Sequence, residues 1–275
     1  MRNFLVLGAG YTGLRVAKLL QRKNEQVAWT NRHSVGSHRF DAEVDDPSQL
    51  LKLIDGETVI LHSIPTLRTQ SGLQEITPEL VQALRISPPA RIVYVSTTGV
   101  YGENRLVDET TLPAPRTERE HLRTIAEAAI LCGPWSSMIL RPAAIYGPNR
   151  GIHASLRAGT FHLPENPSNY VSRIHVDDLA AHCHAAMLSP LEGAFPVADE
   201  EPCTSLEAAQ FCAKLLGISM PPSAPAEALG ETRRADRRVD GSAIRELLSL
   251  RLLYPSYKTG FPACLASEDF ARSIS

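Results

Sequence analysis

The residues at the start of the chain limit the possible folds more than any other stretch. A short apolar run at residues 4–7 leads into GAGYTG at residues 8–13, and the apolar stripe of a helix follows. The glycines thus stand where a strand turns into a helix, which is the context in which the pattern G-x-G-x-x-G is informative. The alternative interpretation is a glycine-rich turn without a ligand.

Each glycine of this motif has a physical reason to be there. The first allows a tight turn after the strand, the second lets a pyrophosphate approach the backbone, and the third lets the helix lie against the sheet. The free N–H groups and the positive dipole end of the helix would then face the phosphates. We therefore predict a dinucleotide-binding loop that contains Gly8, Gly10, Tyr11, Thr12 and Gly13.

The end of the second predicted strand, at residues 26–30, indicates which nicotinamide dinucleotide fits. NAD sites usually place Asp or Glu there to hold the ribose 2′-OH, whereas Arg accommodates a 2′-phosphate. This chain has Asn31 and Arg32 at that point and no carboxylate before Asp41. We expect NADP rather than NAD, with Asn31 and Arg32 among the cofactor-binding residues. The alternative is that Arg32 is a solvated loop cation.

Predicted strands and helices alternate along the first half of the chain. Strands are expected at residues 26–30, 58–61, 91–95 and 137–140, and helices at residues 47–54, 76–84 and 118–131. Such alternation is typical of a mostly parallel sheet with helices on both faces. We predict an α/β fold, a Rossmann-type doubly wound sheet with a smaller C-terminal substrate-binding region.

The domain boundaries follow from where the alternation stops. We predict an NADP-binding Rossmann domain at residues 1–148, completed by about residues 171–200. The smaller substrate-binding region would contain residues 149–170 and 201–275, and its final element is predicted to be an extended segment at residues 254–260.

Hydroxyl side chains follow two of the predicted strands. Ser63 follows the strand at 58–61, and Thr97, within the run Ser-Thr-Thr at 96–98, follows the strand at 91–95. Ligands of doubly wound sheets bind at the carboxyl ends of the strands. We therefore expect Ser63 to contact the cofactor and the 96–98 run to form one wall of an active site. The alternative is a hydroxyl-rich turn that caps a strand.

Composition excludes several other functions. The chain of 275 residues has a net charge of -2, so we expect no nucleic acid and no membrane surface as partner. Its five cysteines are scattered, without a C-x-x-C pair, which argues against a disulfide framework or a cysteine zinc site. The sequence shows no signal peptide and no apolar stretch long enough to cross a bilayer, so a cytoplasmic protein is predicted.

A metal site is also not expected. Three histidines and a cysteine lie near one another in the sequence, namely His175, His182, Cys183 and His184. However, residues two apart diverge on a helix, and no carboxylate stands at ligand spacing.

Five sequence pieces, taken in order, resemble the extended short-chain dehydrogenase/reductase superfamily, in its NAD(P)-dependent epimerase/dehydratase group. They are GAGYTG at 8–13, STTGVYG at 96–102, RPAAIYGP at 141–148, RIHVDDLA at 173–180, and a tail with RVDGSAIRELL at 238–248 and YPSYKTGF at 254–261. The resemblance implies a Rossmann domain that binds NAD(P). It also implies that Thr97 hydrogen-bonds the reacting oxygen and that Thr97 and Pro142 lie at the cofactor.

The chain departs from this family at the catalytic pair. The family's base is a Tyr four residues before a Lys, and the Lys lowers the pKa of the Tyr and holds the nicotinamide ribose. This chain has Arg119 and Arg123 at those positions, and no Tyr lies between Tyr101 and Tyr146. Arginine stays protonated and is a poor substitute for the phenol. A literal Y-x-x-x-K at 254–258 lies after the Rossmann core, and we interpret it as coincidence.

Other residues are candidates for the missing chemistry. Tyr101 and Tyr146 each precede a glycine in loops expected at the carboxyl edge of the sheet, and His121 and His153 are further possible proton shuttles. For each tyrosine the alternative is a packing or cofactor-facing role. The two arginines could instead bind phosphates or an acidic substrate. The predicted catalytic residues are Thr97, Tyr101, Tyr146, Arg119 and Arg123.

Two functions remain in competition at this point. The first is an NAD(P)-dependent oxidoreductase or epimerase/dehydratase-like enzyme with an atypical active site, acting on a nucleotide-sugar or a small carbonyl compound. The second is a non-catalytic NADP-binding sensor or scaffold, which the loss of the Tyr–Lys pair favours. The helix at 118–131 is a candidate interface for a homodimer.

A basic cluster near the C-terminus has two interpretations. The cluster contains Arg233, Arg234, Arg237 and Arg238. It could grip a substrate diphosphate, as the resembled family does in this region, or form a solvated face that is paired with Glu231, Asp236 and Asp240.

Overall fold

A computed structural model describes residues 3–33, 38–225, 228–229 and 235–273. Its helices are α1 (Gly13–Arg22), α2 (Thr77–Leu84), α3 (Glu118–Leu131), α4 (Ile152–Arg157), α5 (Val176–Leu188), α6 (Ser205–Leu216), α7 (Ser242–Leu247) and α8 (Tyr257–Ser273). Two 3₁₀ helices span Pro47–Leu53 and Thr98–Tyr101.

The strands include seven that form the main sheet and several short pairs. They are β1 (Asn3–Leu7), β2 (Val27–Asn31), β3 (His38–Arg39), β4 (Thr58–His62), β5 (Leu67–Thr69), β6 (Gly72–Gln74), β7 (Arg91–Val95), β8 (Leu106–Val107), β9 (Ser136–Pro142), β10 (Ala144–Tyr146), β11 (Leu163–Pro164), β12 (Tyr170–Val171), β13 (Arg173–His175), β14 (Gly193–Val197), β15 (Cys203–Thr204), β16 (Ser223–Ala224) and β17 (Arg238–Val239).

The main sheet is parallel throughout and has the order β14-β9-β7-β4-β1-β2-β3. The chain leaves β1 toward β2 on one side and returns to β4 on the other, so the strand order reverses beside β1. In an open parallel sheet, ligands bind at the carboxyl edge at such a point. The predicted Rossmann-type fold class is confirmed, and the glycine loop lies at this reversal.

Both faces of the sheet are buried, and β1 shows how. Phe4 and Val6 belong to the core beneath α1 and α5, whereas Leu5 and Leu7 belong to the core beneath α2 and α3. Successive side chains of a strand point to opposite faces, and a parallel sheet covered by helices on both faces therefore has apolar strands. This burial explains why the strands were visible as short apolar runs in the sequence.

A third, separate core joins α4, α6 and α8 at the carboxyl side of the sheet. Its buried residues are Tyr146, Leu156, Phe161, Leu163, Cys203, Ala208, Ala209, Cys212, Tyr257, Phe261 and Cys264. This core is the structural basis of the smaller C-terminal region, while the exact residue boundaries given above for the two domains stay a prediction.

The predicted extended segment at 254–260 is wrong, because a helix begins at Tyr257. Tyr257, Phe261, Cys264 and Glu268 are all buried and recur every three or four residues, as one face of a helix requires. Helix-breaking residues at positions 255, 260 and 262 masked this stripe in the sequence.

Candidate active site

The glycine loop has the geometry that its sequence predicts. Gly8 has a φ of +84°, which is the left-handed region where glycine is favoured. A Cβ on Gly13 would overlap the carbonyl oxygen of Gly8 and lie 2.7 Å from Oγ of Ser63. A Cβ on Gly10 would meet nothing within 4 Å. The loop is therefore closed against the sheet at its first and third glycines and open toward the ligand side at its second.

Ser63 has a structural role in this loop. Its hydroxyl donates a hydrogen bond of 2.7 Å to the carbonyl oxygen of Gly8. On the other side, the N–H of Gly8 donates to Oγ1 of Thr30 at 3.2 Å. Hydroxyls from β2 and from the loop after β4 thus fix the turn. Ser63 also lies on the wall of the adjoining cavity, so its predicted cofactor contact stays a prediction.

The start of α1 fits an anion. The first turn of α1 contains no acidic residue, and its N-cap residue Thr12 makes no side-chain capping bond. Unneutralised N–H groups at a helix N-terminus attract phosphates. Tyr11 lies on the same wall, where its hydroxyl donates to the carbonyl oxygen of Pro148 at 2.9 Å and burial raises its pKa to about 12. These residues fit a dinucleotide pyrophosphate, which they would hold by backbone N–H groups.

A single cavity of about 1540 Å³ continues from this loop across the carboxyl edge of the sheet. Its described wall includes residues 8–13, residues 30–33, residues 63–67, residues 95–99, parts of α3 and residues 142–146. Side chains of α4 and α8 and residues 170–173 and 235–237 close the far end. The cavity therefore extends from the glycine loop past Thr97 to the smaller C-terminal region.

At the end of this wall beside β2, Arg32 is already paired. Its Nε lies 3.7 Å from Oδ1 of Asp41, and about half of the Arg32 side chain is exposed. Oδ1 of Asn31 accepts a hydrogen bond from the N–H of His33 at 2.8 Å. Both Asn31 and Arg32 line the cavity. Asp41, ten residues further along the chain than Asn31, therefore places a carboxylate beside Arg32.

Thr97 lies at the carboxyl end of β7 and faces the cavity. Its backbone is extended, and its Oγ1 accepts a hydrogen bond of 3.1 Å from the N–H of Gly99, so it caps the 3₁₀ helix that follows. The hydroxyl hydrogen has no acceptor among the residues that the structure describes. Thr97 can therefore donate that hydrogen to an oxygen in the cavity.

Tyr101 does not reach the cavity wall, contrary to its predicted catalytic role. It is fully buried, and its hydroxyl accepts a hydrogen bond of 3.1 Å from Arg141. Arg141 in turn forms a buried pair with Glu127 at 2.7 Å, and Glu127 also accepts from the hydroxyl of Ser96. Burial raises the pKa of Tyr101. The tyrosine belongs to a polar cluster beneath the sheet edge.

Tyr146 is on the wall, but its hydroxyl is covered by the C-terminal region. The hydroxyl donates to the carbonyl oxygen of Ser256 at 3.4 Å, and Gly260 packs directly on the ring, where a Cβ would overlap it. Burial raises the Tyr146 pKa far above its ordinary value. The hydroxyl of Tyr146 is thus engaged by the C-terminal region, and its catalytic role stays a prediction.

The two arginines of α3, Arg119 and Arg123, differ in burial and in their contacts. Arg123 is buried, donates from Nη2 to the carbonyl oxygen of Val95 at 2.5 Å, and lies 3.5 Å from Oε2 of Glu75 through Nη1. Nη1 is buried without a hydrogen-bond partner in the described structure, and Arg123 lines the cavity. Arg119 also lines the cavity but is exposed. At the position of the family's lysine, Arg123 thus holds a buried guanidinium that is ion-paired with Glu75 and whose Nη1 has no described hydrogen bond.

Glu75 anchors Arg123 and was not identified from the sequence. Its carboxylate accepts from the hydroxyl of Thr66 at 2.7 Å and from the hydroxyl of Thr77 at 2.5 Å. Nε2 of His62 lies 2.9 Å from the same Thr77 hydroxyl. Burial, aided by Arg123, lowers the His62 pKa to about 3, so this histidine is neutral. A glutamate between a hairpin and a helix carries no motif, and the partners that reveal its role are distant in sequence.

Arg237 has a structural role rather than a free phosphate-binding position. Its guanidinium donates to the carbonyl oxygens of Thr98 at 2.7 Å, Asn104 at 3.1 Å and Gly102. It therefore holds the loop that follows Thr97. Arg233 and Arg234 of the predicted cluster, with Glu231, lie outside the described residues.

The remaining candidates lie elsewhere. His153 is buried against Glu268, 3.1 Å away, and Glu268 also pairs with Arg157 at 2.5 Å and accepts from the N–H of Asn149. Lys258 pairs with Glu201 away from the cavity. Within the described ranges, no group of three or more His, Cys, Asp or Glu side chains could hold a metal ion, and no described helix is long and apolar enough to cross a membrane.

Comparison with known proteins identifies the class to which this fold and site belong. The model of the NAD dependent epimerase/dehydratase family matches residues 4–196, and the chain belongs to this family. It is an NAD(P)-dependent, epimerase-like enzyme with a Rossmann fold, as the sequence resemblance implied.

Three individual proteins show how far the similarity extends. A conserved protein of unknown function from Silicibacter pomeroyi is 27% identical, with a TM-score of 0.80 over 97% of this chain and 99% of that one. The UDP-glucuronic acid 4-epimerase of Bacillus cereus, solved with UDP-glucuronic acid and NAD, is 20% identical, with a TM-score of 0.78 over 99% and 100%. A 3-diazoavenalumate denitrifying reductase from a Streptomyces species is 31% identical over 113 residues, which span 38% of this chain and 37% of the reductase.

Proposed function

We propose that this protein transfers a hydride between a nicotinamide dinucleotide, preferably NADP, and a carbon that carries an oxygen. The substrate would be a nucleotide-sugar or a small carbonyl compound. The observation that carries the proposal is the continuous cavity that brings Thr97 and Arg123 to the same wall as the glycine loop. The nucleotide-sugar and NAD complexes of the structural relatives support the same ligand classes.

The residues of the wall divide the work between binding and orientation. The N–H groups after Gly10 hold the pyrophosphate, and Nη1 of Arg123 donates to a ribose hydroxyl. The Thr97 hydroxyl donates to the reacting oxygen and stabilises negative charge there. The dinucleotide supplies the hydride chemistry when it is bound.

The proton does not come from Tyr101 or Tyr146 in this proposal. Tyr101 is buried away from the described wall, and the hydroxyl of Tyr146 is bonded to Ser256 beneath Gly260. We propose that water in the open cavity carries the proton and that Thr97 orients the oxygen which receives it. Without a proton from Tyr101 or Tyr146, we expect the reaction to lack the roughly 10²–10⁴-fold contribution of a positioned acid or base.

Turnover tests this role directly. Oxidation of NADPH and conversion of UDP-glucuronic acid, UDP-glucose and simple aldehydes are followed by absorbance and chromatography. We expect Thr97→Ala to lower kcat by about tenfold to a hundredfold, since one donor to the developing charge is lost. Thr124→Ala, a control on α3 that lies off the described wall, should leave kcat unchanged. Tight NADPH binding without any turnover, or equal rates for Thr97→Ala and wild type, contradicts the proposal.

The preference for NADP rests on Arg32. We propose that its guanidinium leaves Asp41 and pairs with the 2′-phosphate, since the present distance of 3.7 Å and the half-exposed side chain allow that movement. Fluorescence titration should show that Arg32→Ala weakens NADPH binding about tenfold and leaves NADH binding unchanged. Arg39→Ala removes an equally exposed arginine paired with Asp45 and should change neither. Equal affinity of the wild type for NADH and NADPH overturns the preference.

Assembly and location complete the proposal. We propose that the protein forms a homodimer through α3, where the apolar side chains of Ile125 and Leu131 are exposed. We also propose that it is located in the cytoplasm. Light scattering after size exclusion tests the dimer, and a monomer at micromolar concentration contradicts it.

A further inference from the structure

Arg119 is a cation on the cavity wall that no described group of the protein neutralises. Its side chain makes no ion pair, hydrogen bond or ring contact in the parts of the chain that the structure describes. Neighbouring arginines on the same wall behave differently, because Arg116 pairs with Glu103 and Arg105 lies 3.4 Å from Asp236. Arg119 is therefore available to a ligand.

The carboxylates on the described wall pair with groups other than Arg119. Glu103 and Asp236 are paired as stated, and Asp236 also accepts from the N–H of Tyr170 at 2.9 Å. Glu120 accepts from the N–H groups of Arg116 and Thr117 at 2.7 and 3.1 Å, in the capping box of α3. Each acid on this part of the wall serves another partner.

Arg119 also stands where a cation is locally unfavourable. It is the second residue of α3, next to the positive end of the helix dipole, where acidic side chains are preferred. A residue that breaks a local rule without a compensating contact inside the protein is expected at a functional site. Thr97, with its free hydroxyl hydrogen, lies on the same cavity wall.

We propose that Arg119 binds a carboxylate which the substrate carries next to its reacting carbonyl, so that the substrate class is a 2-oxo acid or a similar acidic carbonyl compound. The guanidinium offers two parallel N–H donors that match a carboxylate. The positive charge of Arg119 also matches the negative charge of a carboxylate. This inference rests on the proposed function, in which the Thr97 hydroxyl donates a hydrogen bond to the oxygen of the same carbonyl.

Binding of a matched pair of probes tests the inference. Phenylglyoxylate and its methyl ester have nearly the same shape and differ in charge, and calorimetric titration with each is run on the full chain with and without NADP⁺. We expect phenylglyoxylate to bind the wild type about tenfold more tightly than the ester, the factor that one charge-assisted hydrogen bond contributes. Arg119→Gln should abolish the difference, and Arg119→Lys should keep part of it.

Arg116→Gln is the matched control, because it removes a wall arginine that already has a carboxylate partner. It should preserve the preference for the acid. Equal affinity of the wild type for both probes, no binding of either, or a preference that survives Arg119→Gln overturns the inference. Failure of the dinucleotide itself to bind refutes the proposed function instead, and the titrations without NADP⁺ still decide the role of Arg119.

Discussion

Removal of the Glu75 carboxylate should unfold the protein at much lower denaturant concentration. Glu75 and Arg123 have side chains that are 1% and 6% exposed, and they form an ion pair beneath the cavity. Glu75→Gln leaves Arg123 as a buried cation without a carboxylate; its remaining described contacts are the hydrogen bond to the carbonyl oxygen of Val95 and the Tyr94 ring, 4.7 Å from the guanidinium. Breaking one side of a buried pair costs about 3–5 kcal/mol. That loss is large against the ~5–15 kcal/mol that stabilises a typical native protein.

Urea unfolding followed by far-UV circular dichroism measures this cost. Glu79→Gln on the exposed side of α2 is the matched control and should stay within about 0.5 kcal/mol of the wild type. The double variant Glu75→Gln/Arg123→Met should be more stable than Glu75→Gln alone, because it leaves no buried unpaired charge. A loss below about 1 kcal/mol for Glu75→Gln, or a double variant whose loss is the sum of the single losses, would refute the reasoning.

Three further predictions concern the glycine loop, a buried acid and the loop after Thr97. Gly10→Ala should fold normally but weaken dinucleotide binding in a fluorescence titration. Gly13→Ala should instead cost about 1–3 kcal/mol of folding stability, because its methyl group would overlap the carbonyl oxygen of Gly8. Equal effects of the two substitutions on folding stability would contradict this prediction. Burial raises the pKa of Asp199 to about 8, so the protonated form stabilises the fold and stability should fall as pH rises from about 4 to 8. In urea unfolding at pH 6 and pH 9, Asp199→Asn should reduce the loss of folding stability between the two pH values. An unchanged loss in the variant would show that Asp199 does not cause the pH dependence. Arg237→Lys should lower amide-exchange protection at residues 98–104, and unaltered exchange there would show that the guanidinium does not hold the loop.

The parts of the fold that the sequence predicts are those governed by local chemistry. The strand at 91–95 and the helix at 118–131 have the predicted bounds, because the first is an apolar run buried on both faces and the second starts at a Thr–Glu capping box. The loop at 8–13 was identifiable because glycine is required by the backbone itself. Helix α8 was not predicted, because its proline and glycine residues locally argue against a helix. The buried stripe on one face of α8 becomes evident only from the tertiary packing.

The site was less accessible to sequence reasoning because its contacts are long-range. Nothing near Glu75 indicates that it pairs with Arg123, 48 positions away in the numbering of the chain. Nor does the sequence separate Tyr101, which is buried beside Arg141, from Tyr146, which lies on the wall under Gly260. Both tyrosines precede glycine, and their different environments are set by residues that approach from other parts of the chain.

The buried Glu268 on α8 sets an order of events during synthesis. All seven strands of the main sheet are present once residue 197 has been translated. The wall segment at 149–157 gains its carboxylate partner only after residue 268 has emerged, since His153, Arg157 and the N–H of Asn149 all meet there. A ribosome-bound intermediate can therefore hold a complete glycine loop while its substrate wall lacks an anchor. Dinucleotide affinity should mature earlier in translation than substrate affinity.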